Sequence, residues 1–180
     1  MILTGPEIER ERAAGRLTIE PFDPAQVNPN SYNLTLGPTL VVYTSTVLDT
    51  RRPNDFETLE IPEQGIVLDP GRIYLGSSVE VIGSDHYVPV MHSRSGSARL
   101  GVFSHVTADL IDQGSHGQLT HQLRVVQPVR VYAGLSLAQV DFRRTQGEPL
   151  LYQGKYQGSR GPQPSQIHLD TLGAALGVAA

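Results

Sequence analysis

The chain has 180 residues, a length that suits one domain with a core of its own. Charged residues make up 18% and the net charge is −4, which argues against a non-specific nucleic-acid surface, although a local group of Arg and Lys can still outweigh that sign for a small anionic ligand. Cysteine is absent, which removes disulfides, thiol catalysis and cysteine-ligated zinc together. The N-terminal stretch MILTGPEIERERAAGR has no apolar run of signal-peptide type, and no segment approaches bilayer length, so the expectation is a cytoplasmic protein with no membrane partner.

Gly (18) and Pro (13) together exceed one residue in six, and aromatics are few, a mixture that fits short strands joined by tight turns. One helix is predicted at the start. Thr4-Gly5-Pro6-Glu7 has capping-box spacing, Pro6 falls in the first turn where its missing N–H costs nothing, and Gly15 is placed to stop the helix. Residues 20–30 read as loop. The period then changes to two: Ser31–Leu36 alternates, Leu40–Tyr43 is a short apolar run, and Gly37-Pro38 between them signals a turn. Residues 44–64, polar and proline-containing, read as a long excursion. Short strands are predicted at 66–68, 73–75, 79–82, 87–92, 102–107, 118–126, 129–131 and 135–142, with turns at Asp69-Pro70-Gly71 and Gly83-Ser84-Asp85. Some ten strands at this spacing predict an all-β sandwich, jelly roll or barrel. Residues 153–166 carry Gly, Gln, Lys and Arg without apolar periodicity and cannot build a core alone, and the final LGAALGVAA is expected to fray.

Four groups of residues are candidates for chemistry. Arg94-Ser95-Gly96-Ser97-Ala98-Arg99 sets two arginines five apart around small residues, a pattern that suits a phosphate cradle or, equally, a solvated turn. Asp109 and Asp112 lie in an otherwise apolar stretch ahead of Gly114 and Gly117, so a carboxylate there can hold a sugar hydroxyl or orient a water, or else cap its own turn. His105, His116 and His121 have spacings of eleven and five and no metal-binding frame, so no metal ligands are assigned; His121 shares a strand face with Leu119 and Leu123 and reads as a packing histidine. Thr120, Gln122 and Arg124 form the opposite face, either solvated or the wall of a pocket.

In order and spacing, NPNSYNLTLG (28–37), DPGRIYLG (69–76), RSGSARLGVFSHVTA (94–108), DQGSHGQLT (112–120), QPVRVYAG (127–134) and GKYQGSRGPQPS (154–165) together resemble the dCTP deaminase and dUTPase family, most closely its dCTP deaminase branch. The resemblance spans nearly the whole chain. It implies an all-β, distorted jelly-roll subunit of the dUTPase-like β-clip type with a short N-terminal helix, spanning residues 1–152. It also implies a flexible C-terminal segment, 153–180, that closes over a nucleotide, and homotrimers with active sites between subunits. Mg²⁺ would come bound through the nucleotide's phosphates, with no metal at the base.

By position, the resemblance gives Arg94, Ser95, Gly96, Ser97 and Arg99 to the phosphates and the catalytic water, and His105, Thr107 and Ala108 to the base pocket. Asp112 matches the carboxylate beside the sugar 3′-hydroxyl, which activates water in the dUTPase branch. Gln139 matches a motif near the phosphates, and Tyr152, Lys155 and Gln163 match the closing segment. Four positions depart from the deaminase pattern. Gln122 stands where a glutamate shuttles protons, His121 replaces an apolar residue, Gly96 replaces a second serine, and Asn33 stands where aspartate is frequent.

A neutral amide has no lone pair basic enough for the glutamate's work. The expected function is therefore hydrolysis of a pyrimidine (deoxy)nucleoside triphosphate at its phosphates. The alternatives are a dCTP deaminase that uses another base, such as His121 or Asp109, and a catalytically silent nucleotide-binding regulatory trimer.

Overall fold

Strands build the core after residue 30, and the helix before them packs its buried Ile8 into it. The computed structural model describes residues 1–170, so the C-terminal run expected to fray lies outside the described residues. Helix α1 (Gly5–Ala13) precedes ten strands: β1 (Thr18–Glu20), β2 (Tyr32–Tyr43), β3 (Phe56–Glu60), β4 (Ile66–Leu68), β5 (Tyr74–Gly83), β6 (Val88–Ser93), β7 (Val102–Phe103), β8 (His116–Val125), β9 (Val129–Val131) and β10 (Ser136–Arg143). A five-residue helix, α2 (Ser95–Arg99), joins β6 to β7.

Helix α1 starts where the proline predicts, but its cap is not a capping box. Thr4 is extended and makes no side-chain cap bond, while Glu7 pairs with Arg10 at 2.5 Å. Ile8 faces inward and is fully buried. Gly15 turns the chain at φ +71°, a left-handed conformation that a side chain would resist, and this brings Arg16 back onto the helix. The buried Glu11 accepts from the Arg16 guanidinium at both oxygens and from the Tyr87 hydroxyl. Those bonds, Arg16 first and Tyr87 second, hold its carboxyl down at a pKa of about 2.

One sheet dominates, in the order β6-β10-β2-β5-β8-β7, with β1 on β5 and β3 on β2; β4 and β9 form a separate pair. The pairings within it are antiparallel and curl it into a nearly closed, barrel-like layer. The inner face of β2 runs through two apolar clusters. Leu34 belongs to the first, with Ile8, Ile82, Met91, Val140 and Phe142. Leu36, Leu40 and Val42 belong to the second, with Leu68, Leu123 and Val131.

Three sequence expectations are corrected. Gly37-Pro38 is no turn: β2 runs through it as a single strand, with a register shift against β5 between Leu36 and Leu40. The irregularity suits both residues, because Pro38 has no N–H for a ladder while its carbonyl still accepts from Ile61, and a side chain at Gly37 would come within 2.9 Å of Ser77 Oγ. The 44–64 excursion contains β3, which pairs with β2 from Thr39↔Glu60 to Tyr43↔Phe56. Its sequence FETLE is largely exposed at a sheet edge, so no buried face imposes alternation on it. The two strands expected at 73–75 and 79–82 are one, β5, bulged between Ser77 and Val81. Among the described residues no helix is long and apolar enough to cross a membrane.

Candidate functional site

A cavity of about 680 Å³ opens beside β8. Its floor is the strand itself, through Leu119, Thr120 and Gln122, and the neighbouring β5 adds Leu75. One wall is the loop that carries Ala108, Leu110, Ile111 and Asp112; another is the loop around Asp49, Thr50 and Asn54. Tyr152, Tyr156, Ser159 and Gln163 of the C-terminal segment cover it. A mostly apolar lining with a few convergent polar groups is the usual character of a small-molecule site.

Gln122 is held at three points. Its backbone pairs with Leu75 across the ladder, its N–H donates to the Ser104 carbonyl at 2.9 Å, and its side-chain oxygen accepts from the Val106 N–H at 3.2 Å. Asp112 is exposed at the rim of the same cavity, with its carbonyl accepting from the Ser115 N–H in a turn. Among the described lining residues the only other carboxylate is Asp49. It is committed within its own loop, pairing with Arg52 at 3.1 Å and accepting from the Arg51 N–H.

The neighbouring His121 points the other way. It is fully buried on the face of Leu123, opposite Gly76 of β5, where the Leu36, Leu40 and Leu123 side chains crowd the glycine. Neither ring nitrogen has a hydrogen-bond partner, and burial pushes its pKa down to about 4. His121 does not line the cavity, and neither does Asp109, so neither substitute base considered for deamination stands there. His116 pairs instead with Asp85 at 3.0 Å, and His105 is half-buried with its Nδ1 unpartnered.

The segment after residue 152 has little regular structure, yet among the described residues it is laced to β8. Gly158 N–H donates to the His116 carbonyl, Gln118 N–H to the Ser159 carbonyl, Gly161 N–H to Gln118 Oε1, and Gln163 N–H to Thr120 Oγ1. Tyr156 and Tyr43 hydroxyls accept from Gln166 and Ser165. Lys155 lies outside the cavity, paired with Asp170 and 5.8 Å from the Tyr156 ring centre.

The remaining candidates lie elsewhere in the chain. Arg94 caps α2 and donates to the Ser136 carbonyl at 3.2 Å; Ser95, Gly96 and Arg99 are exposed, and Ser97 is buried. Thr107 is exposed, and Gln139, on β10, accepts from the Ser31 hydroxyl at 3.0 Å. None of these lines the cavity, and among its described lining residues there is no Arg or Lys. The sequence reading therefore gathers Ala108, Asp112, Gln122, Tyr152 and Gln163 at one place and leaves the phosphate candidates at another. It missed the loop of Asp49 and Asn54, which is pinned by reciprocal bonds, Asp49 N–H to Asn54 Oδ1 at 2.7 Å and Asn54 Nδ2 to the Asp49 carbonyl at 2.9 Å. An Asp and an Asn inside a polar excursion were its only trace in the sequence.

A family model described as dCTP deaminase-like matches residues 2–145. The chain belongs to the dCTP deaminase-like family. A Leptospira biflexa protein named dCTP deaminase, dUMP-forming, is 43% identical over 171 residues, covering 94% of this chain and 98% of its own length. A Clostridium acetobutylicum protein of the same name is 44% identical over 173 residues, 96% and 99% of the two chains. A solved structure of 2′-deoxycytidine 5′-triphosphate deaminase from Agrobacterium tumefaciens superposes with a TM-score of 0.63 at 24% identity, covering 80% of this chain. The chain spans about half, 48%, of that longer neighbour, which speaks for the shared fold. The all-β, dUTPase-like fold expected for the dCTP deaminase-like family is the fold observed.

Proposed function

We propose that this protein hydrolyses a pyrimidine (deoxy)nucleoside triphosphate at its phosphates. The observation that carries the reading is that Asp112 and Gln122 line one cavity, a carboxylate at its rim and an amide at its floor. The relatives' name, dCTP deaminase, dUMP-forming, describes a conversion with two halves: dCTP plus two waters gives dUMP, ammonia and pyrophosphate. Removal of the amine needs a group that takes a proton from water and returns one to the ring and the leaving ammonia. Gln122 cannot do this. Cleavage at the phosphates needs an in-line water, a carboxylate to orient it and positive charge on the phosphates. Asp112 supplies the carboxylate.

The positive charge is the incomplete part. The cavity of one chain presents no Arg or Lys, whereas Arg94 and Arg99 sit at α2. Beside them Leu100, Phe103 and Val126 are exposed, an apolar surface of the kind that packs against another chain. Both facts support a homotrimer in which α2 of one copy brings its arginines to the cavity of the next. Among the described residues no group of three or more His, Asp or Glu side chains converges as a metal site. In this reading a Mg²⁺ ion is carried by the nucleotide's own phosphates, where it would supply neutralising charge.

The relatives favour a second reading, a dCTP deaminase, since they are more than 40% identical along nearly the whole chain. One experiment separates the two. Purified protein is incubated with dCTP or dUTP and Mg²⁺, and the products are resolved by chromatography. The expected products are a monophosphate with its base unchanged and pyrophosphate. A uracil product from dCTP establishes the second reading; no phosphate or pyrophosphate release from any pyrimidine nucleotide, or an Asp112→Asn variant of full activity, overturns the first.

A further inference from the structure

The Gln122 amide turns its oxygen to the Val106 N–H and leaves its nitrogen without a protein partner. The Val106 backbone at 3.2 Å is an N–H and can only donate, so the amide end that meets it must be the oxygen. The amide is thereby fixed in one of its two orientations, and its NH₂ is the end left over. That NH₂ donates to no protein group among the described residues, although the side chain lines the cavity. The floor therefore offers a donor with no partner, held in place by the strand and by residue 106.

Which part of a nucleotide meets this donor follows from depth. Asp112 is exposed at the rim, whereas Gln122 is half-buried beside the buried Leu75. A nucleotide that enters base-first, with its charged phosphates left toward solvent, brings the ring position farthest from the sugar to the floor. In a pyrimidine that is position 4. A 4-oxo group offers a lone pair there; a 4-amino group offers a second donor, and two donors in contact leave both unpaired. Thr120 does not discriminate. Its oxygen already accepts from the Gln163 N–H, and the hydroxyl proton it has left suits the 2-oxo group common to both bases.

We propose that Gln122 makes this site selective for 4-oxo pyrimidine nucleotides of the uracil and thymine type over cytosine nucleotides. This rests on the reading of the cavity as a pyrimidine nucleotide site. It does not depend on hydrolysis, because binding alone reports it.

The test is calorimetric titration of the full-length protein with the non-hydrolysable α,β-imido analogues of dUTP and dCTP in Mg²⁺. The uracil analogue is expected to bind about tenfold tighter or better. Gln122→Met, which removes the donor at similar length, is expected to bring the two affinities within threefold. A wild-type preference below threefold, or one for the cytosine analogue, overturns the proposal, as does Gln122→Met keeping the wild-type preference. Millimolar concentrations of both analogues without binding overturn it together with the nucleotide-site reading. Selective binding without turnover of dUTP leaves it standing and removes only the hydrolytic assignment.

Discussion

His121 and Gln122 are adjacent on β8, and the pleat of the strand gives them opposite fates. His121 is sealed between apolar neighbours with both ring nitrogens unpartnered. Gln122 keeps one end of its amide on the Val106 N–H and leaves the other for a ligand. Both are polar residues in a strand that otherwise packs leucine and valine inward. The comparison shows that what a polar residue does is decided by its face rather than its type. On the core side an unpaired nitrogen is a standing cost to stability, because nothing can reach it. On the cavity side an unpaired nitrogen is a recognition element, because water satisfies it until a ligand arrives.

The cavity face can be broken most severely. Gln122→Glu restores a carboxylate at the floor and is expected to raise uracil formation from dCTP by about 10²- to 10⁴-fold, the range typical of a positioned acid–base group. Ammonia release, or loss of cytosine absorbance, measures it. An unchanged rate means that residue 122 does not reach the reacting ring. At the rim, Asp112→Asn is expected to lower pyrophosphate release by about 10²-fold with little change in KM, since a water-orienting group acts after binding. Steady-state kinetics with both parameters resolved checks the split.

How much of this was legible beforehand follows from the same distinction between faces. The alternation of residues 118–125 placed His121 with Leu119 and Leu123, and Gln122 with Thr120; β8 stands so for His121 with Leu123 and for Gln122 with Thr120, whereas Leu119 is only half-buried and also lines the cavity. Alternation says which residues share a face but not whether a polar face is solvent or cavity. That depends on Leu75, on the loop of Asp49 and on Tyr152 and Tyr156, which reach β8 from distant parts of the chain. Gly37-Pro38 misled because its local turn chemistry is overridden by the pairing of β2 with β5, β3 and β10. The buried Glu11 was invisible for a similar reason: its partners Arg16 and Tyr87 converge only after Gly15 turns the chain and the turn ahead of β6 brings Tyr87 over it. The family resemblance singled out the tail and position 122, which periodicity could not, and both lie at the cavity.

The core face gives a test in pH. The folded protein holds His121 neutral, with its pKa down at about 4, while an unfolded histidine titrates near the ordinary 6.5. Below 6.5 the unfolded chain takes up a proton that the folded chain refuses. Stability is thus complete above about pH 6.5 and falls as pH drops, by about 3 kcal/mol at pH 4. Glu11 acts lower, between its ordinary 4.5 and about 2. Denaturant unfolding of wild type and His121→Leu from pH 7 to 4.5 isolates the histidine. The variant is expected to be more stable at pH 7 by about 1–2 kcal/mol, since two unpaired polar atoms leave the core, and its stability is expected to change less with pH. A parallel pair of curves would mean that the imidazole finds partners in solution.

The smallest effect belongs to Thr120, which joins the cavity face to the segment above it. Its oxygen is the acceptor for the Gln163 N–H at 3.1 Å, one of several bonds that lace residues 157–163 to β8. Thr120→Val keeps the branched shape a strand favours and removes that acceptor alone. A single neutral hydrogen bond contributes about 1 kcal/mol, so the segment should open about fivefold more often while its other bonds persist. The expected consequence is a severalfold rise in KM at nearly constant kcat, with faster protease cleavage between residues 153 and 165. A fall in kcat without a change in KM would instead place the Thr120 hydroxyl in the chemical step. Gln122 and Thr120 would then share the work on that face of β8 rather than divide it into recognition and closure.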